Sequence, residues 1–145
     1  MIINSNKPIV EFNNVGLQLI QSITLFGSLN FKILQNSCCL LVGATGSGKS
    51  TILKMIKGLI PYIIPHKVTG EIIILNELKN HKNFIRQSLN IGLLFQDVEM
   101  QFIGSTVLQD LAFGLENLGI PRKKMIKLKA MIQLNMEKSS FFIIL

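Results

Sequence analysis

The stretch LLVGATGSGKSTIL, Leu40 to Leu53, decides how the rest of the chain is read. An apolar run stops at Gly43, passes through Ala44, Thr45, Gly46 and Ser47, and reaches Gly48, Lys49, Ser50 and Thr51 before apolar residues resume. A loop so poor in side chains cannot pack by itself. Its positions fit G-x-x-x-x-G-K-[ST], with an expected strand before it (Cys38 to Val42) and an expected helix after it. Glycines open backbone angles closed to other residues and let successive N–H groups converge on phosphate oxygens. The helix beginning at Ser50 adds its positive end. Lys49 then supplies a cation to the β- and γ-phosphates, and the Ser50 hydroxyl a ligand for Mg²⁺. Chance produces the four fixed positions in roughly one chain in two hundred of this length. The loop is expected to hold a nucleoside triphosphate.

The whole chain allows one domain. Its 145 residues are 48% hydrophobic and 16% charged, a globular composition rather than a disordered one. Polar residues interrupt every apolar run short of the roughly 18 residues that a membrane span needs. MIINSNKPIVEF lacks the pattern of a signal peptide, so a cytosolic protein is expected. The formal charge of +7 gathers at Arg122, Lys123, Lys124, Lys127, Lys129 and Lys138. Without interleaved aromatics this reads as a solvated helix face, and no nucleic-acid partner is expected. Cys38 and Cys39 are neighbours in an apolar run, which predicts buried, inert thiols rather than a disulfide or metal site.

Strands are expected at Pro8–Phe12 and Ser22–Ile33, with Asn13–Gly16 as a turn and Leu34–Ser37 as another. Ile52, Leu53, Met55, Ile56 and Leu59 recur at helical spacing until Gly58 and Pro61 close the helix. Gly70–Ile74 reads as a strand followed by a turn with Asn76 at positive φ, and Asn90–Phe95 as a buried strand. A helix capped by Ser105 or Thr106 follows, and Pro121 opens a basic one running to about Glu137.

A P-loop hydrolase also needs an Asp at a strand end for Mg²⁺. The chain has two, Asp97 and Asp110; Asp110 falls inside a helical pattern, and Asp97 is separated from its strand by Gln96. Taken alone, Asp97 fits an imperfect metal-binding strand end in a small soluble P-loop kinase or GTPase. The surrounding phrase GLLFQDVEMQFIGSTVLQDLAFGLENLGIP (Gly92–Pro121) resembles the Q-loop and following helical segment of ABC transporter ATPases, in the form found in energy-coupling factor importers of vitamins and of metal ions such as cobalt or nickel. GLIPYIIPHKVTGEIII, between the P-loop and the next strand, resembles the same group.

The resemblance implies an α/β fold: a P-loop NTPase with a RecA-like core and an antiparallel β portion, here an incomplete ABC ATPase domain. Residues 1–145 would be the N-terminal part of one nucleotide-binding domain, from P-loop through Q-loop to the start of the helical subdomain. It implies ATP and Mg²⁺ as cofactors, held by Gly43 through Thr51, with Gln96 contacting Mg²⁺ and the attacking water. The implied partners are a transmembrane subunit and a second ATPase subunit, at the cytoplasmic face of the cell membrane. Three departures accompany it. Leu17 and Leu19 stand where the family has an aromatic residue against adenine, so that base contact is weakened or supplied elsewhere. Val98 replaces a common proline. The signature loop, metal-binding Asp, catalytic Glu and switch His do not follow, and the expectation is a domain cut before its signature motif. A non-catalytic remnant is the remaining reading.

Overall fold

The computed structural model describes residues 7–20, 22–127 and 142–144. They fall into two compact units, one reaching Leu93 and the other running from Leu94 to Ile144.

The first unit is organised by β1 (Pro8–Gln18), which pairs antiparallel with β2 (Thr24–Leu34) on one side and β3 (Lys67–Ile74) on the other. A short β4 (Glu77–Leu78) completes the order β2-β1-β3-β4. Alternation along β1 buries Val10 and Phe12, then Val15 and Leu17, each at 2% exposure or less. Those two pairs are out of step by one residue. The register explains it: Phe12 to Val15 is matched by only Phe31 to Leu29 on β2, and Asn13 to Gly16 by only Glu71 to Thr69 on β3. One extra residue is thus inserted against both neighbours, and this bulge returns the second half of the strand to the buried face. Asn13–Gly16, expected as a turn, is this bulge. Asn14 takes φ 50°, and its backbone N–H donates to Asn30 Oδ1 at 2.8 Å. Gly70 lies against it with φ 76°, and a Cβ there would sit 2.3 Å from the Asn14 carbonyl oxygen.

Phe31 stacks on Phe12 with ring centroids 4.5 Å apart. The β3–β4 hairpin turns through Leu75 and Asn76, at φ 52° and 64°. The positive φ foreseen for Asn76 is present, and Leu75 shares it although a branched side chain resists that region.

Helix α1 (Lys49–Lys57) buries Ile52, Met55 and Ile56. Gly58 stops it in the left-handed conformation, its N–H donating to the Lys54 and Met55 carbonyls. Two lysines then fix the helix end. Lys79, 8% exposed, donates to the Ile56 carbonyl at 2.6 Å. Lys57 donates to the carbonyls of Ser88 and Ile91 at 2.7 and 2.5 Å, tying in α2 (Phe84–Ser88) and the chain beyond it.

Cys38–Val42 is not a strand, contrary to the sequence expectation. A strand exists through its ladder, and no described segment pairs with these residues. Leu40 and Val42 are 83% and 79% exposed, and both cysteines are exposed, so the buried thiols read from the sequence are overturned too. The strand expected over Asn90–Phe95 shortens to β5 (Gly92–Leu94); Ile91 before it is buried, but Leu94 is 36% exposed.

In the second unit a 3₁₀ turn (Val98–Gln101) precedes α3 (Val107–Asn117). Of the two candidate caps the structure selects Thr106: Gln109 N–H donates to its hydroxyl, and the Gln109 side chain accepts from Thr106 N–H, closing a capping box. Residues 122–127 are helical, as the basic stretch predicted; its continuation to Glu137 lies outside the described residues. Phe142–Ile144 forms β6.

Two outcomes test this packing. Gly70→Ala should lower unfolding free energy by about 2 kcal/mol in a denaturant titration, because the new methyl meets the bulge carbonyls at an unfavourable φ. The second is a pH dependence. Burial, then the like charge of Lys57, lowers the Lys79 ammonium from 10.5 to about 8. The folded state therefore binds this proton less tightly than the unfolded state, and stability rises with pH between about 8 and 10.5. In Lys79→Met this increment should vanish from the difference between melting curves at pH 8 and pH 10.

Candidate functional site: a phosphate loop at a helix N-terminus

Gly43 to Ser47 form an exposed loop, and Gly48, Lys49 and Thr51 are half-buried where α1 begins. Gly46 and Gly48 take φ 83° and 91°. At Gly48 a Cβ would also crowd Leu25 and Phe26 of β2, at 3.2 and 3.3 Å. At Gly43 it would stand 2.7 Å from the Ser47 hydroxyl, which would have to turn away to admit it.

Lys49 reaches back across the loop. Its ammonium donates to the Gly43 carbonyl at 2.8 Å, the Ala44 carbonyl at 2.7 Å and the Ser47 hydroxyl at 3.4 Å. The loop is thereby gathered around a single cation. No side chain caps α1, and among the described residues the N–H groups of Gly48, Lys49, Ser50 and Thr51 donate to no other group. Four unpaired amides, one ammonium and the positive end of a helix make a site for an anion with several oxygens. The Ser50 hydroxyl, exposed at the same helix start, suits a hard cation carried by such an anion. The nine positions read from the sequence, Gly43 through Thr51, are all brought together.

Gln96 belongs to the second unit, in an exposed bend between β5 and the 3₁₀ turn. The sequence reading missed its neighbour Gln101, whose Oε1 accepts from Phe95 N–H at 3.0 Å and fixes the backbone before Gln96. Asp97 is exposed and its side chain caps nothing. Asp110 is structural: Oδ1 accepts from the N–H groups of Ile103 and Gly104 at 2.9 and 2.7 Å. No group of three or more His, Cys, Asp or Glu among the described residues is arranged to hold a metal. Of the two leucines at the family's aromatic position, Leu17 is locked in the core at 1% exposure and Leu19 is half-buried.

The ABC transporter family model matches residues 26–141. The chain belongs to the ABC transporter family. It is 37% identical over 126 residues to the energy-coupling factor transporter ATP-binding protein EcfA1 of Lactobacillus acidophilus, covering 86% of this chain and 44% of that protein. Against EcfA1 of Ureaplasma parvum serovar 3 it is 38% identical over 125 residues, covering 86% and 40%. The chain spans between about a fifth and under half the length of the curated relatives it matches. Among solved structures, cbiO1 from Clostridium perfringens, part of the ABC transporter complex cbiONQ, superposes with a TM-score of 0.72 at 23% identity, over 92% of this chain and 53% of that one. That likeness establishes the fold: a partial ABC ATPase domain of the P-loop class, with an antiparallel sheet.

The exposed cysteines give this site a chemical test. Cys38 and Cys39 should both react with a thiol reagent in the native protein at rates close to those after denaturation, which absorbance of the released thiolate would follow. Protection of both thiols would show that the segment entering the P-loop is covered.

Proposed function

We propose that this chain is the P-loop-to-Q-loop part of the ATP-binding subunit of an energy-coupling factor importer. In this reading residues 1–145 carry the N-terminal part of one nucleotide-binding domain and the start of its helical subdomain. Gly43 through Thr51 hold the phosphates of ATP. The observation that carries it is the α1 N-terminus, where unpaired amides and the Lys49 ammonium meet in one loop.

Each group has a role set by its chemistry. Lys49 exchanges two loop carbonyls for phosphate oxygens, a stronger charge-assisted pairing. The amides of α1 follow the phosphate chain, and the glycines keep side chains out of its path. The resemblance gives Ser50 and Gln96 as the residues that would hold Mg²⁺, which when bound would neutralise phosphate charge. Gln96 also orients the attacking water and reports nucleotide state to a transmembrane subunit. A second ATPase subunit completes the assembly at the cytoplasmic face of the membrane, and the transported solute is a vitamin or metal ion. The energy-coupling factor names of the relatives and the cbiONQ context of the structural neighbour support this. No described helix is long and apolar enough to cross a membrane, which suits a peripheral subunit.

The isolated chain should bind Mg·ATP without turning it over, because positioning and electrostatic stabilisation supply most of the rate in phosphoryl transfer. Its only acids beside Gln96 are Asp97 and Glu99, both exposed in the Q-loop segment. In calorimetry Lys49→Ala should weaken ATP binding roughly ten- to hundredfold, as expected for loss of a charge-assisted bond. Phosphate release by the parent should equal that of Lys49→Ala. Release clearly above that control, lost in Asp97→Asn and kept in Gln96→Ala, would replace this reading with a small P-loop kinase.

A further inference from the structure

Beyond α3 the second unit carries a strongly charged face that neither the P-loop nor the Q-loop segment uses. Pro121 opens the helix over residues 122–127, its carbonyl accepting from the N–H groups of Lys124 and Met125 at 2.8 and 3.0 Å. Arg122, Lys123, Lys124 and Lys127 are all exposed, and so is Ile126, at 61%. Met125 alone is half-buried. At about 3.6 residues per turn, the five exposed side chains sweep roughly 200° of the helix surface and leave the rest to Met125. Ile126 stands one turn after Arg122 and Lys123, so an aliphatic side chain is set among the cations.

This face is electrically unbalanced. Lys123 and Lys127 are an i,i+4 pair and Lys124 and Lys127 an i,i+3 pair, spacings at which like charges repel and destabilise a helix. No acid relieves them. Between Glu116 and Glu137 the sequence has five cations and no carboxylate. The ion pairs found among the described residues, Lys32 with Glu11 and Arg86 with Glu77, both belong to the first unit. A solvated face accounts for the exposure of these lysines, but not for charge of one sign with an exposed Ile inside it.

The chemistry that answers both features is a dense layer of phosphate charge with hydrocarbon directly beneath it. A polynucleotide supplies the charge without a place for Ile126, and the helix offers no aromatic side chain to stack on a base. An anionic bilayer surface supplies both. We infer that residues 122–127 dock this chain on anionic phospholipid, with Arg122, Lys123, Lys124 and Lys127 at the headgroup phosphates and Ile126 entering the interface. The chain makes this contact itself, in addition to a transmembrane partner, and the P-loop takes no part in it.

Sedimentation with lipid vesicles tests the docking. The purified chain should bind vesicles of equimolar phosphatidylglycerol and phosphatidylcholine, leave them as salt is raised, and ignore vesicles of phosphatidylcholine alone. Each lysine near such a surface contributes about a fivefold factor, so Lys123→Gln, Lys124→Gln and Lys127→Gln together should weaken binding about a hundredfold. Glutamine is a good helix former, so the helix is kept. The control variant Lys7→Gln, Lys67→Gln and Lys82→Gln removes the same charge from exposed positions of the first unit, and should change binding by no more than about threefold. Ile126→Ser should weaken binding about fivefold. Equal losses in the two triple variants would reduce the effect to net charge, and equal binding to both kinds of vesicle would remove charge from it altogether; either overturns the proposal. So does unchanged binding by Ile126→Ser. Duplex DNA bound more tightly than vesicles at equal phosphate, and lost in the same lysine variant, would assign the face to nucleic acid instead. Lys49→Ala should bind vesicles as the parent does, and loss of vesicle binding in that variant overturns a docking face separate from the P-loop.

Discussion

One extra residue in β1 holds the first unit together. β1 is hydrogen-bonded on both sides, so its side-chain phase is imposed on β2 and β3 alike. Without the bulge at Asn13–Asn14, Val15 and Leu17 would point away from the face that buries Val10 and Phe12, and about half of the strand's apolar side chains would meet water. The bulge is secured from both neighbours: Asn30 on β2 accepts from the Asn14 N–H, and Gly70 on β3 leaves room for its carbonyls. Asn30 also donates to Asn14 Oδ1, as does Ser28. A small polar cluster outside the core therefore maintains the register of the apolar side.

The P-loop depends on that sheet indirectly. Its helix begins with Gly48 close beside Leu25 and Phe26 of β2 and is fastened at its finish by Lys79 on the Ile56 carbonyl. Lys57 extends the fastening to the carbonyls of Ser88, at the end of α2, and Ile91 beyond it, and Gln87, 3% exposed, holds α2 to the Glu77 carbonyl on the β3–β4 hairpin. The loop is the exposed part of a braced element. Such an arrangement leaves four amides free at the start of α1 in a loop without a packed interior of its own.

Local chemistry was the legible part of the sequence. The glycine loop before α1, α1 with its glycine stop, the cap of α3 and the turn at Asn76 each depend on a few neighbouring residues, and each is present in the structure. The strands expected at Pro8–Phe12, Ser22–Ile33 and Gly70–Ile74 are present as well, and what failed were two readings that turned on which segment pairs with which. Cys38–Val42 has the composition of a strand buried on both faces, but composition supplies no ladder, and the residues stay exposed. The sequence Asn13–Gly16 has the residues of a turn, and only its pairing with both β2 and β3 turns it into a bulge. The short α2 and β4 carried no periodicity to detect. Lys79 gave no local sign of burial; its place is fixed by a carbonyl 23 residues earlier.

The lysines at the finish of α1 have an electrical consequence. A helix carries about half a unit of positive charge at its first turn and about half a unit of negative charge at its last. Here Lys54 and Lys57 occupy the last turn, and the Lys79 ammonium sits on one of its carbonyls. Those cations cancel the negative pole close to its source. The positive pole keeps no acidic residue in its first turn and no side-chain cap. The helix thus behaves less as a dipole than as a single-ended electrode: its field is not offset from behind, so it decays more slowly with distance in front of the loop and reaches an approaching polyanion before any contact is made.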